Sequence, residues 1–418
     1  MAAGPLHETE MPGEEIIAPL PRITLQAFCE TQEVAAAMQA VTADRRMDKA
    51  QTRIQMGGPA AAVEAFRAAP TPNVIVLETV TEPGRLIASL DALAESCDPG
   101  TKVVVIGHVN DVQLYRDLIR RGVSDYLIAP LGVLDVLRTL SELYATPGAQ
   151  TLGRTIAVVG AKGGVGSSTV AHNLAWAIGR NLGASTVIAD LDIAFGTAGL
   201  DFNQDPPQGV AEAVFAPERL DANMLDRLLS RCSENLALLA APAVLDRTVD
   251  LGEDALDLLL DLLRASVPCI VLDVPHLWTG WAKRTLIGAD EVVIVAAPEL
   301  ASLRNAKNMM DLLRAARPND SVPRLILNQV GIAKRPEIDA AEFAKALGVE
   351  VLNAIPFDAQ LFGTAANNGQ MVAEVQSGGK AAEAFIQIAM ALTGRGEAKR
   401  SKRSLLEPLV AKLMRRKA

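Results

Sequence analysis

The 418 residues are 50% hydrophobic and 21% charged, which excludes a disordered chain and supplies core for two or three domains. A net charge of −9 excludes a surface that coats nucleic acid throughout and leaves room only for a local basic patch. The four cysteines, Cys29, Cys97, Cys232 and Cys269, share no metal-ligand spacing, so zinc and iron–sulfur ligation are set aside and plain thiols of a reducing compartment are expected.

Met1 to Pro21, with its prolines and acidic residues, reads as a disordered lead and not as a secretory signal. No apolar run reaches the roughly eighteen residues of a membrane span, and a cytoplasmic protein is expected. From Arg22 to Tyr144 strands alternate with helices. Strands are predicted at Ile23–Phe28, Asn73–Leu77, Lys102–Ile106 and Ser124–Ile128, and helices at Gln32–Ala43, Asp111–Arg121 and Leu131–Tyr144. Residues 145–153 are Pro- and Gly-containing and aperiodic, a linker. A second alternating unit fills 154–393, with strands at Ile156–Val159, Thr186–Ala189, Leu236–Ala240, Cys269–Leu272, Glu291–Ala296 and Arg324–Asn328. The fold class expected is α/β, two parallel-sheet domains covered by helices. Residues 394–418 form a basic tail in which Leu405, Leu406, Leu409, Val410, Leu413 and Met414 share one helical stripe. Such a helix suits an anionic membrane surface or a partner's groove; packing on its own body stays open.

The segment from Ile156 to Thr169 is the most informative. An apolar strand ends at Val159, a glycine-rich loop follows, and a helix opens at Ser168. Glycines let main-chain N–H groups converge on phosphate oxygens, and the helix N-terminus adds its positive end. The candidate nucleotide-binding residues here are Lys162, Gly163, Gly164, Val165, Gly166, Ser167, Ser168 and Thr169, with the Ser168 hydroxyl a candidate Mg²⁺ ligand.

Lys162-Gly-Gly-Val-Gly-Ser-Ser-Thr169 resembles the deviant Walker A loop of the MinD/ParA ATPases. The resemblance spans about Thr155 to Thr393 and implies a P-loop NTPase fold with ATP and Mg²⁺ as cofactors. It makes Lys162 the signature lysine, which in that family reaches a partner's nucleotide across a homodimer. Ser167 stands where the conventional P-loop lysine belongs, so a charge on the β- and γ-phosphates is missing. Losing one preorganised group of this kind costs about 3 kcal/mol or more in the transition state. Binding can survive on amides and Mg²⁺ while hydrolysis becomes slow or absent.

Other family positions follow by resemblance. Asp192, in Ala189-Asp-Leu-Asp, is the candidate catalytic residue orienting water and a candidate near the metal, with Asp190 supporting that region. Asp273, in Leu272-Asp-Val-Pro, matches the Walker B carboxylate that holds Mg²⁺ through water. Asn328 matches the adenine-contacting asparagine, and Pro356 and Phe357 the loop over the base.

Residues 22–144 resemble a response-regulator receiver (flavodoxin-like) domain stripped of its chemistry. Glu78 occupies the phosphoacceptor position, Gly107-His108 lacks the hydroxyl, and Ala129 takes the place of the lysine. A pseudo-receiver for protein contacts is expected; the rival is a domain switched permanently by the Glu78 charge. A degenerate receiver joined to a MinD/ParA-like domain with Ser167 in the P-loop lysine position is similar to the CpaE/TadZ family of Flp (Tad) pilus assembly proteins. That resemblance implies a localisation and assembly factor at a cell pole or inner membrane face, with pilus secretion proteins as partners. The alternative is an active ATPase that positions cargo on membrane or nucleoid.

Overall fold

In a computed structural model of the chain, residues 17–81, 83–145, 152–242 and 251–394 are described. They fall into two compact units, one within residues 17–149 and one from residue 150 onward. The acidic lead up to residue 16, most of the linker and the basic tail from residue 395 lie outside the described residues. No described helix is long and apolar enough to cross a membrane.

The first unit holds strands β1 (Thr24–Cys29), β2 (Gln51–Met56), β3 (Val74–Glu78), β4 (Lys102–Gly107) and β5 (Asp125–Ile128). They form one parallel sheet in the order β2-β1-β3-β4-β5, the doubly wound flavodoxin-like arrangement. β3 is buried along its whole length, as its continuous Val-Ile-Val-Leu run requires. β2 was not foreseen. Gln51, Arg53 and Gln55 alternate with less polar residues because it is an edge strand, half exposed. The two faces of the sheet carry separate apolar layers, one around Met38 and Leu137, the other around Phe28 and Leu118.

The second unit holds β6 (Arg154–Gly160), β7 (Thr186–Asp190), β8 (Ser230–Ser233), β9 (Leu236–Leu239), β10 (Cys269–Val274), β11 (Glu291–Ala296), β12 (Arg324–Val330) and β13 (Val351–Pro356). The sheet order is β13-β12-β11-β6-β10-β7-β9-β8. All neighbours are parallel except β8 and β9. The expectation of a parallel sheet holds for seven strands; the short antiparallel edge β8 is an addition, and β13 is a further strand not foreseen. The α/β class is therefore established for this unit.

The chain runs from β6 to β7 and β9 on one side, returns to β10, and crosses to β11 and beyond on the other. The direction of winding reverses beside β6, so a crevice opens at its C-terminal end. The other end of β6 is fastened by a buried ionic cluster. Asp290 Oδ2 accepts from the Thr155 N–H and hydroxyl, both at 2.9 Å, and pairs with Arg264 Nη1 at 2.8 Å.

Candidate functional site

At the C-terminal end of β6 the chain leaves the sheet at Gly160 and re-enters regular structure at the helix Ser167–Trp176. Gly164 (φ +82°) and Gly166 (φ +80°) adopt the left-handed conformation, and a Cβ on Gly166 would stand 2.6 Å from Asn328 Nδ2. Only glycine tolerates both demands at Gly166. The loop is braced from behind. Asn328 Nδ2 donates to Val165 O at 2.8 Å, Gln329 Nε2 to Gly164 O at 2.9 Å, and Asn305 Nδ2 to Ala161 O at 2.9 Å. His276 Nδ1 lies 2.9 Å from Gly160 O, so that nitrogen carries the proton. Four side chains thus take carbonyls of the loop and, among the described residues, none of its amides. Gly163 is exposed there, and the hydroxyls of Ser167, Ser168 and Thr169 make no side-chain hydrogen bond among the described residues.

Lys162 Nζ is 2.5 Å from Glu299 Oε1. Glu299 precedes the helix Leu300–Ala316, and its carboxyl is held below the usual carboxylate range by the hydrogen bond from Lys162. The one lysine of the loop therefore has a resident counter-ion.

Below the loop, the strand ends gather carboxylates. Asp273 of β10 and Asp190 of β7 are register partners, and both are buried. Burial, and then the charge of Asp273, push the Asp190 carboxyl upward, offset by His172 and by the amides of Ala198 and Asp192. His172, on the helix behind the loop, is wholly buried, with Nδ1 2.7 Å from Asp201 Oδ2 and Nε2 3.3 Å from Asp273 Oδ2. Burial alone would depress its pKa, but the hydrogen bond to Asp201 and the neighbouring charge of Asp273 prevail and hold the ring protonated well above its ordinary value. Asp192 lies above Asp190, caps its own turn by accepting from Phe195 N at 3.0 Å, and is half-buried. Among the described residues no three His, Cys, Asp or Glu side chains are arranged to hold a metal alone. That donor set suits Mg²⁺, which is bound through one or two carboxylates and the phosphates of a nucleotide. Phe357 is exposed beyond β13, and its N–H donates to Val330 O at 2.8 Å, which places Pro356 and Phe357 beside the end of the Asn328 strand.

The structure thus brings together Gly163 to Thr169, Lys162, Asn328 and, through the adjoining strand ends, Asp273 and Asp190. Asn328, expected at a base, spends its amide on the loop itself. The sequence reading did not identify Glu299, Asn305, Gln329, His172 or Asp201. A histidine and an asparagine inside the run Val170-Ala-His-Asn-Leu-Ala175 were the available signal, since all six positions are buried.

In the first unit Glu78 is fully buried at the end of β3. Its carboxylate accepts from Glu30 N at 2.7 Å, Thr31 N at 2.8 Å and Thr31 Oγ1 at 2.6 Å, and pairs with His108 Nε2 at 3.0 Å. It sits over the N-terminus of the helix Gln32–Thr42. Burial pushes its pKa up, but the bonds from Thr31, His108 and Glu30 outweigh burial, and the carboxyl ends below its ordinary 4.5. A depressed acid stabilises the fold fully above its unfolded value, and that contribution drains away as the pH falls through the folded one. The protection of amides 29–34, with the intrinsic pH dependence of exchange divided out, is therefore expected to fall below about pH 4.5 in the whole protein, and Glu78→Gln to flatten that dependence. An unchanged pH profile in the variant would show that another group controls it.

Residues 156–371 match the family described as the CobQ/CobB/MinD/ParA nucleotide binding domain. The chain is 26% identical over 248 residues to the septum site-determining protein MinD of Helicobacter pylori, covering 57% of this chain and 90% of that protein. A ParA family ATPase from Chlorobium tepidum TLS superposes with a TM-score of 0.52 at 26% identity, covering 57% of this chain and 98% of that one. The pilus assembly protein CpaE from Caulobacter crescentus CB15 is 50% identical, covering 31% of this chain and 100% of that one, with a TM-score of 0.31.

Proposed function

Because the chain belongs to the CobQ/CobB/MinD/ParA nucleotide-binding family, we propose that it binds ATP with Mg²⁺ at the β6 loop and serves as a localisation and assembly factor for Flp/Tad pilus secretion, with little or no hydrolysis. The observation that carries the nucleotide part is the braced loop, with Gly164 and Gly166 left-handed and its side-chain hydroxyls unengaged. The main-chain amides of residues 163–168 bind and orient the phosphates, Ser168 and Asp273 hold the metal (Asp273 through water), and Phe357 covers the base. Mg²⁺, when bound, supplies the charge neutralisation that Ser167 cannot. Lys162 exchanges Glu299 for phosphate oxygens of a second copy, and the protein works as a homodimer. Asp192 orients water in whatever hydrolysis occurs.

The pilus part is supported by the pairing of a receiver-like unit, in which Glu78 fills its own pocket, with a phosphate loop carrying Ser167. In this reading the first unit makes protein contacts, and the basic tail, outside the described residues, meets a membrane surface or a pilus protein at a pole.

Turnover assays separate this from a cycling ATPase. Wild-type hydrolysis is expected near background, and Ser167→Lys is expected to raise it by about 10-fold or more, since one charged group on the phosphates carries several kcal/mol. Brisk wild-type turnover that disappears in Asp192→Ala would overturn the proposal.

A further inference from the structure

His172 connects two parts of the nucleotide unit, the short helix after β7 and the end of β10. Its Nδ1 is 2.7 Å from Asp201, the last residue of the short helix Ala198–Asp201. Its Nε2 faces Asp273 Oδ2 at 3.3 Å, yet that nitrogen is buried without an aligned hydrogen bond. The loop between β7 and that short helix is fastened twice. Asp190 accepts from Asp192 N at 3.1 Å and Ala198 N at 3.0 Å, closing its stem, and His172 grips its far end through Asp201. The loop and short helix carry Phe195 and Leu200, both 73% exposed.

We propose that His172 is a positioning residue that joins the Asp273 carboxylate to residues 191–202, so that filling the nucleotide site resets the placement of Phe195 and Leu200. The inference rests on the nucleotide reading above and adds a regulation to it. The imidazole is enclosed beside the apolar layer between the helix and β10, with the Phe202 ring tilted toward it at 5.6 Å between ring centres. The ring is wholly buried there, and a close-packed interior transmits displacement rather than absorbing it. Asp273 stands at one end of the His172 link and Asp201 at the other. Of the two contacts that of Nε2 with Asp273 is the longer, 3.3 Å against 2.7 Å for Nδ1 with Asp201.

The test uses the full chain, hydrogen–deuterium exchange over residues 191–204, and calorimetry with Mg²⁺ and a slowly hydrolysed ATP analogue. In the wild type the analogue is expected to change exchange in this segment. Asp201→Ala, which leaves the loop amides and Asp273 in place, is expected to bind within about threefold of wild type, a difference under 1 kcal/mol, and to lose most of that change. His172→Gln should lose it too and exchange faster without nucleotide. If Asp201→Ala binds the analogue and keeps the full wild-type response, the coupling is refuted while the nucleotide reading stands. If the wild type binds nothing, the nucleotide reading falls and the coupling with it. Should His172→Gln fail to fold, Asp201→Ala decides alone.

Discussion

A Gly166→Val variant is expected to lose affinity for Mg²⁺ and ATP by about 100-fold or more, close to 3 kcal/mol, as measured by calorimetry. Two separate demands meet at this residue. Its φ of +80° is one that a β-branched side chain scarcely adopts, and the Cβ would fall 2.6 Å from Asn328 Nδ2. Asn328 is buried and short, so it cannot retreat without releasing Val165 O. The amides of the loop then lose their common aim, on which, together with Mg²⁺, the proposed phosphate binding rests once the usual lysine is replaced by Ser167. Gly183→Ala provides the comparison. It also has a positive φ, +67°, but nothing stands within 4 Å of its Cβ, so it is expected to cost about 1 kcal/mol of stability and leave binding unchanged. Equal affinity of Gly166→Val and wild type would mean that the loop does not hold the ligand.

The largest effect on stability is expected at Asp290. Arg264 is 6% exposed, and its guanidinium is balanced by Asp290, with Nη1 also donating to Thr155 Oγ1 at 3.1 Å and Nη2 to Asp290 Oδ1 at 3.2 Å. Removing the carboxylate leaves a buried cation without its counter-charge and frees the N–H of Thr155 at the start of β6. Asp290→Ala is expected to destabilise the nucleotide unit by about 3–5 kcal/mol in urea unfolding of the full chain. A double variant, Asp290→Ala with Arg264→Met, should recover much of that loss, because an apolar chain needs no partner. Little loss in the single variant would show that water reaches Arg264.

The sequence makes the centre of each sheet legible and the edges much less so. β3, β10 and β11 are runs of Val, Ile and Leu buried on both faces, and such runs carry their own signal. β2 and β8 are edges whose polar residues face outward, and their pairing depends on a neighbour far along the chain. The phosphate loop was readable because its glycines, lysine and hydroxyls are contiguous. Its supports were not. Glu299 lies 137 residues beyond Lys162, and Asn328 lies 163 beyond Val165. Nothing local announces such contacts, since they exist only after β11 and β12 have been laid beside β6. His172 was hidden differently. It sits inside an apolar helix, where one polar residue reads as a packing irregularity until the aspartates of two other segments are brought to it.

The pairing of Lys162 with Glu299 also bears on selectivity. A glycine loop at a helix start attracts small anions of every kind, and an unescorted ammonium beside it would deepen that trap. With the ammonium already matched by a carboxylate, stray sulfate or phosphate gains little from the cation. On the proposed reading a triphosphate with its metal brings more to the exchange with Glu299 than a lone anion does, and the acidic escort would act as a filter against simple salts.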